Sequence, residues 1–230
     1  MLRLRVGIGA TAGTVIASRR IERGGYVRLE AGTASHTGRI RASNQDSVGL
    51  VDGLYVVADG MGGHRGGEVA SAEAVAAMLA VFDRRDRAGL VAAVRSANRT
   101  ILEKTVTRPD LSGMGTTLCA LAVVSSASGD EVLAVANIGD SRVYRFAAGE
   151  LVQVSDDHSL VADLMRAGEL SAEEAAQHPQ RNILTRALGI EADPVIDSWE
   201  LEPVLGDRYL LCSDGLFNEL DDGRLAEVLA

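Results

Sequence analysis

Residues 131–154 read EVLAVANIGDSRVYRFAAGELVQV, and three strand-like runs are legible in them, at 131–138, 142–146 and 151–154. Val, Leu, Ile, Tyr and Phe fill the runs, while Gly-Asp-Ser and Ala-Ala-Gly-Glu separate them. The second and third runs flank so short a stretch that they predict a hairpin, and a hairpin makes its strands antiparallel. Runs of the same kind recur outward from here, at 116–124, 46–58 and 26–35 on one side and at 195–201 and 208–212 on the other.

Two helical stretches lie between strands. Residues 67–82 are Ala-rich with Val69, Val75, Met78, Leu79 and Phe82 near one face, and residues 87–105 repeat apolar side chains at Leu90, Val94, Ala97 and Ile101. A polar helical pair is predicted within about 158–188: Gly168 ends its first helix, Ser171 with Glu174 forms a capping box that opens the second, and Pro179 stops it. This insertion reads as a surface flap. Runs of strands with paired helices imply an α+β layered sandwich, not a βαβ fold. The domain is expected over 26–230, with residues 1–25 as an N-terminal arm.

A hydrophobic content of 47% with 24% charged residues describes a packed domain. The net charge of -9 excludes nucleic acid and anionic membranes as principal partners, since both require a basic surface. Eight Arg against Glu22 and Glu30 within residues 1–41 leave 15 basic and 30 acidic side chains for the rest, an acidic body suited to cations or cationic partners. No apolar run is long enough to cross about 30 Å of hydrocarbon. Cys119 and Cys212 sit inside apolar runs without C-x-x-C spacing, which predicts buried thiols and a cytoplasmic location.

Three strand ends close on an acidic residue beside Gly or Ser: Val57-Ala58-Asp59-Gly60, Ile138-Gly139-Asp140-Ser141 and Cys212-Ser213-Asp214-Gly215. Each alone is ordinary turn chemistry. If the strands pack side by side, however, their carboxylates converge, and two such charges about 4 Å apart repel by roughly 4 kcal/mol at an effective dielectric of 20. Cations would relieve that repulsion. Oxygen donors without His or Cys partners select hard ions such as Mg²⁺ or Mn²⁺. Gly60 lets its own carbonyl approach an ion closely. The glycine-rich run from Asp59 to Glu68 lacks the Lys-Ser/Thr of a nucleotide-binding loop.

Six segments in order now carry a resemblance: Arg41-Ala42-Ser43-Asn44-Gln45-Asp46-Ser47, Ala58-Asp59-Gly60-Met61-Gly62-Gly63-His64, Gly113-Met114-Gly115-Thr116-Thr117, Ile138-Gly139-Asp140-Ser141-Arg142, His178-Pro179-Gln180-Arg181 and Cys212-Ser213-Asp214-Gly215. From about residue 30 onward the chain resembles the bacterial metal-dependent protein serine/threonine phosphatases of type 2C (PPM). The resemblance implies a four-layer α-β-β-α sandwich of two antiparallel sheets flanked by helices. It implies hydrolysis of phosphoserine and phosphothreonine in proteins by a metal-bridged water, with two core Mn²⁺ or Mg²⁺ ions and a third, weaker one.

By the same resemblance Asp59 bridges the core ions, the Gly60 carbonyl binds one, Asp214 binds the other and Asp140 holds the third. Arg41 grips the substrate phosphate, or is a surface Arg of a basic arm. Asp46 contacts metal-bound water or orients Arg41. His64 protonates the leaving alkoxide, or is an exposed loop histidine. Gln45 and Asn182 depart from residues common in the family, which places tuning at a core ion and at the third ion. Phosphorylated proteins, with serine/threonine kinases beside them, are the implied partners of a monomeric enzyme. The family continues with a helix, a Gly-rich stretch and an Asp-Asn pair opening a final strand, none of which is expected before Ala230. The alternative is therefore an impaired phosphatase-like module that binds phosphoproteins or a kinase without turnover.

Overall fold

The structure is a computed structural model that describes residues 14–21, 27–39, 43–62, 66–83 and 85–230. Its elements begin with β1 (Thr14–Ile21), β2 (Val27–Ala34), β3 (Asp46–Val51), β4 (Leu54–Met61), α1 (Gly66–Val81) and α2 (Arg87–Thr107). A 3-10 turn at Pro109–Leu111 leads into β5 (Gly115–Thr116), β6 (Leu118–Ser125), β7 (Glu131–Ile138), β8 (Arg142–Ala147) and β9 (Glu150–Gln153). The remainder is α3 (Leu160–Arg166), α4 (Ala172–Gln177), β10 (Asp197–Leu201), β11 (Arg208–Cys212), α5 (Asp214–Phe217) and α6 (Asp222–Leu229).

The strands form two sheets, ordered β2-β1-β11-β8-β9 and β10-β7-β6-β4-β3, with β5 paired to β4. Every pairing is antiparallel. Strand alternation sorts the side chains into three apolar layers. Leu54, Val56 and Ala58 of β4 face α1 and α2, together with Leu118, Ala120, Ala122, Ala134 and Ala136. Tyr55 and Val57, one residue out of phase, enter the space between the sheets with Cys119, Leu121, Leu133, Val135, Val143, Tyr209 and Leu211. On the far side of the second sheet, Tyr144, Phe146, Leu210 and Cys212 pack against Leu216, Leu225 and Leu229 of α5 and α6. Helix, sheet, sheet, helix is the order through the molecule, as the resemblance implied.

Three expectations change. The run 46–58 is not one strand: Asp52 and Gly53 turn it back on itself, Gly53 takes φ of 74°, and β3 pairs with β4 from Asp46↔Asp59 to Val51↔Leu54. An Asp-Gly pair between β-branched runs is a hairpin signal that continuous hydrophobicity concealed. The arm expected over 1–25 gives way at Thr14–Ile21 to a strand between β2 and β11, paired along its length with β2 and from Thr14 to Ser18 with β11. Residues 222–229, where no further helix was expected, form α6, capped by the Asp221 side chain at Arg224 N. Both cysteines are free and buried. Among the described residues no helix is long and apolar enough to cross a membrane.

Candidate metal centre

The alternation that builds the inter-sheet layer also decides what lies at its end. On β4 the inward positions are Tyr55 and Val57 and then Asp59; on β3, Val48 and then Asp46. Asp46 and Asp59 therefore face each other across the ladder, where like charges are destabilising. Polar residues follow the same parity on neighbouring strands: Thr117 before β6, Asn137 on β7, Ser141 before β8 and Ser213 after β11. All four are buried. One end of the apolar layer is thus polar, and Asp140 and Asp214 join it from the turn after β7 and the first residue of α5.

The carboxylates feel one another there. Burial first, then the charges of Asp46 and Asp214, a hydrogen bond with Asp46 and the charge of Asp140, push the Asp59 carboxyl up to about 9. Burial, followed by the charges of Asp214 and Asp157, pushes Asp140 up to about 7 against the opposing pull of its own backbone and Arg142. Ser213 Oγ donates to Asp46 Oδ2 at 2.9 Å, tying the two sheets together at this edge.

Backbone anchoring is dense. Asp59 N donates to Thr117 Oγ1 at 3.0 Å, the Asp59 carbonyl accepts from Thr117 N at 2.9 Å and Thr116 Oγ1 at 2.8 Å, and Thr117 Oγ1 lies 2.7 Å from Ser141 Oγ. Gly60 N donates to the Gln45 carbonyl at 3.0 Å. A Cβ at Gly60 would stand 1.9 Å from the Gly67 carbonyl oxygen, so the first turn of α1 rests directly on this backbone. Helix packing, beyond access to the Gly60 carbonyl, is what requires glycine here.

The Asp140 turn is held from behind. Gly139 takes φ of 99°, and a Cβ on it would meet Thr117 at 2.6 Å. Its N–H donates to His158 Nδ1 at 3.1 Å, while its carbonyl accepts from His158 N at 3.0 Å and from Asn137 Nδ2 at 3.3 Å. His158 is 1% exposed and its Nε2 is 2.9 Å from Asp197 Oδ2. Because Nδ1 accepts, Nε2 carries the proton and donates to Asp197. Burial lowers the His158 value, with Asp197 opposing and the Arg186 charge adding to the fall, and an Nδ1 that accepts from Gly139 N is that of a neutral ring. Asn137 Nδ2 also donates to the Asp156 carbonyl at 3.0 Å, and its Oδ1 is the buried side-chain acceptor without a partner among the described residues. Such an orphan costs about 1–3 kcal/mol; turning the amide round would set Oδ1 against two carbonyls instead.

Arg142 is not free to meet an anion. Its guanidinium reaches both Asp157 oxygens, with Nη2 2.7 Å from Oδ2, donates from Nη1 to Tyr144 Oη at 2.8 Å, and lies 3.7 Å over the Phe217 ring. Asp46, Asp59, Gly60, Asp140 and Asp214 gather at one edge, whereas Arg41 and His64 lie outside the described residues. Sequence reading gave no role to Thr117, Asn137, His158 and Ser213; for Thr117, Asn137 and Ser213, polar residues in the inward phase of apolar strands were the available signal.

The donor set, carboxylates and a backbone carbonyl, suits hard cations, and burial with the neighbouring Asp46, Asp214 and Asp140 favours the protonated form of Asp59. Among the described residues no three His, Cys, Asp or Glu side chains close into a cage.

A family model for protein phosphatase 2C matches residues 35–229. The chain belongs to the protein phosphatase 2C family. It is 41% identical over 206 residues to the serine/threonine protein phosphatase PstP of Mycobacterium tuberculosis, an alignment covering 87% of this chain and 39% of that protein. It is 38% identical over 207 residues to the serine/threonine phosphatase stp of Listeria monocytogenes, covering 84% and 79%. Among protein phosphatase 2C structures, the PPM Ser-Thr phosphatase MsPP from Mycobacterium smegmatis in complex with cacodylate superposes with a TM-score of 0.75 at 39% identity, covering 88% of this chain and 90% of that one. The catalytic domain of PstP in complex with two manganese ions gives 0.71 at 37%, covering 94% and 84%. These relatives are named as phosphatases, not as binding modules.

Proposed function

We propose that this chain is a metal-dependent protein serine/threonine phosphatase that hydrolyses phosphoserine and phosphothreonine monoesters in proteins. The observation that carries it is the polar edge itself: Asp59 at the end of β4 faces Asp46 across the ladder, and Asp140 and Asp214 reach the same edge from the ends of β7 and β11. Carboxylates brought together at the end of an apolar layer repel one another, and cations bound there would offset that charge. Asp59 and Asp214 with the Gly60 carbonyl would hold two core cations, and Asp140 would hold a third. Bound there, Mn²⁺ or Mg²⁺ supplies the Lewis-acid charge that makes water nucleophilic near neutral pH and offsets the phosphoryl oxygens.

The chain's own residues orient and exclude. Thr117 fixes the Asp59 backbone, Ser213 fixes Asp46, and the apolar layer behind them keeps bulk water from the carboxylates' inner side. Arg41 takes the substrate phosphate in a bidentate fork, Asp46 orients it, and His64 returns a proton to the leaving alkoxide. The segment 158–188 borders the Asp140 turn and selects among phosphoprotein substrates, the products of serine/threonine kinases. All of these residues come from one chain, so a monomer suffices. Free, buried thiols fit a reducing, cytoplasmic setting.

The test is manganese-dependent release of phosphate from a phosphothreonine peptide. Asp59→Asn should abolish release; a wild-type chain that binds the peptide in saturating manganese without turnover would sink the proposal.

A further inference from the structure

His158 opens the segment 158–188 and is buried against the Asp140 turn, yet nothing in the phosphatase reading uses it. Its main chain and its ring both grip Gly139: ring Nδ1 accepts from Gly139 N at 3.1 Å and His158 N donates to the Gly139 carbonyl at 3.0 Å. The other ring nitrogen, Nε2, meets Asp197 Oδ2 at 2.9 Å and Arg186 Nη1 at 3.2 Å; since Nδ1 already accepts, Nε2 donates to Asp197, which also accepts from Arg186 Nη1 at 3.1 Å. The same residue closes the base of the segment, since Thr185 N donates to the His158 carbonyl at 2.9 Å and Leu160 N to the Ile183 carbonyl at 2.9 Å. An isolated bridge joins Ser159 to Leu184. One residue, by its ring and its main chain together, therefore touches the peptide before Asp140, the base of the segment and the edge strand β10.

We infer that His158 is a positioning residue for the Asp140 cation site, holding the Gly139 peptide through an accepting Nδ1 whose tautomer Asp197 enforces, and so coupling the base of the 158–188 segment to the ion at Asp140. The inference rests on the assignment of Asp140 to a cation. With Gly139 pinned at N–H and C=O, Asp140 leaves the turn in one direction; with the N–H released, the turn is free to rotate and the carboxylate to swing. Hydrogen-bond partners one step behind a ligand set metal affinity by about 10–100-fold when removed. Coupling is reciprocal, so an ion on Asp140 also stiffens the base of the segment.

The two ring nitrogens are separable by substitution. His158→Asn places an amide oxygen near Nδ1 and retains the acceptor for Gly139 N–H, whereas His158→Gln places its amide near Nε2 and loses that acceptor. Asp197→Ala, at a side chain 31% exposed, leaves the ring in place but lets the proton move to Nδ1. The experiment is calorimetric titration of Mn²⁺ into the metal-free full chain, with thermal unfolding of each variant alongside.

Asp140→Asn should remove one binding event. His158→Gln should weaken that same event by about tenfold and Asp197→Ala by about threefold to tenfold, with the remaining events within about twofold and His158→Asn close to wild type. Equal losses in His158→Asn and His158→Gln, or a weakening of all events alike, would show that His158 merely holds the fold. Should His158→Gln fail to fold, Asp197→Ala decides, and an unchanged event there overturns the inference. An event removed by Asp140→Asn but intact in the His158 and Asp197 variants defeats the inference alone. If Asp140→Asn removes nothing, the cation assignment of Asp140 falls and takes the inference with it.

Discussion

Asp59 is a residue whose burial among other carboxylates costs the metal-free fold stability as pH rises. Its folded-state value of about 9 lies above the ordinary 3.8, so the folded chain holds this proton more tightly than the unfolded chain. The corresponding stability is full below about 3.8 and is lost as pH rises through about 9; Asp140, raised to about 7, acts in the same direction over a narrower window. Metal-free protein should therefore melt at falling temperatures as pH climbs across this window, and saturating Mn²⁺ should reverse the decline. Asp59→Asn should flatten the profile and stabilise the metal-free form by about 1–2 kcal/mol near neutral pH while abolishing activity. A flat wild-type profile in thermal melts would contradict this. Gly60→Ala is expected to do the opposite and harm both properties, because its Cβ would meet backbone at 1.9 Å and α1 must shift. Denaturant titration should show a loss of about 1–3 kcal/mol or more.

Among the elements, β1 and α4 make contrasting cases. β1 lies inside its sheet, with β11 on one side and β2 on the other, so deleting residues 1–21 leaves two strands with unpaired ladders. The truncated chain should lose several kcal/mol and aggregate on light scattering; unchanged melting would contradict the placement. α4 is held by a capping box in which Ser171 Oγ accepts from Glu174 N at 3.3 Å and Glu174 Oε2 accepts from Ser171 N at 2.8 Å. Ser171→Ala should cost about 1 kcal/mol, read as faster amide exchange in Ala172–Gln177 with little change in global melting. The capping box was legible from two residues three apart. β1 was not, because a Thr-Val-Ile-Ala stretch within a basic, Gly-rich segment has too few neighbours of its own kind to look like a strand until a partner edge is supplied.

At the scale of the whole molecule, three apolar layers carry the stability and one polar edge gathers Asp46, Asp59, Asp140 and Asp214. Leu121 lies fully buried between the sheets, away from that edge. Leu121→Ala should cost about 2–5 kcal/mol in denaturant unfolding and leave Mn²⁺ affinity within about threefold. A large loss of affinity would mean that the site depends on the middle of the layer.

Sequence by itself determined α1, α2, α4 and most of the strands, though not β1, α6 or the break between β3 and β4: the near-continuous apolar runs of β4, β6, β7 and β11 can bury both faces only between two layers, and the Ala-rich helices have one face to offer. It also marked Asp59, Asp140 and Asp214 as strand-end acids. Tertiary structure alone decided that Asp46 faces Asp59 across a hairpin, that α1 rests on Gly60, that Arg142 is consumed by Asp157 and Phe217, and that His158 grips Gly139. Periodicity is a property of a few consecutive residues and survives in one dimension. A contact between residues 19 or 167 positions apart is set by how sheets pair and twist, and no local pattern encodes it.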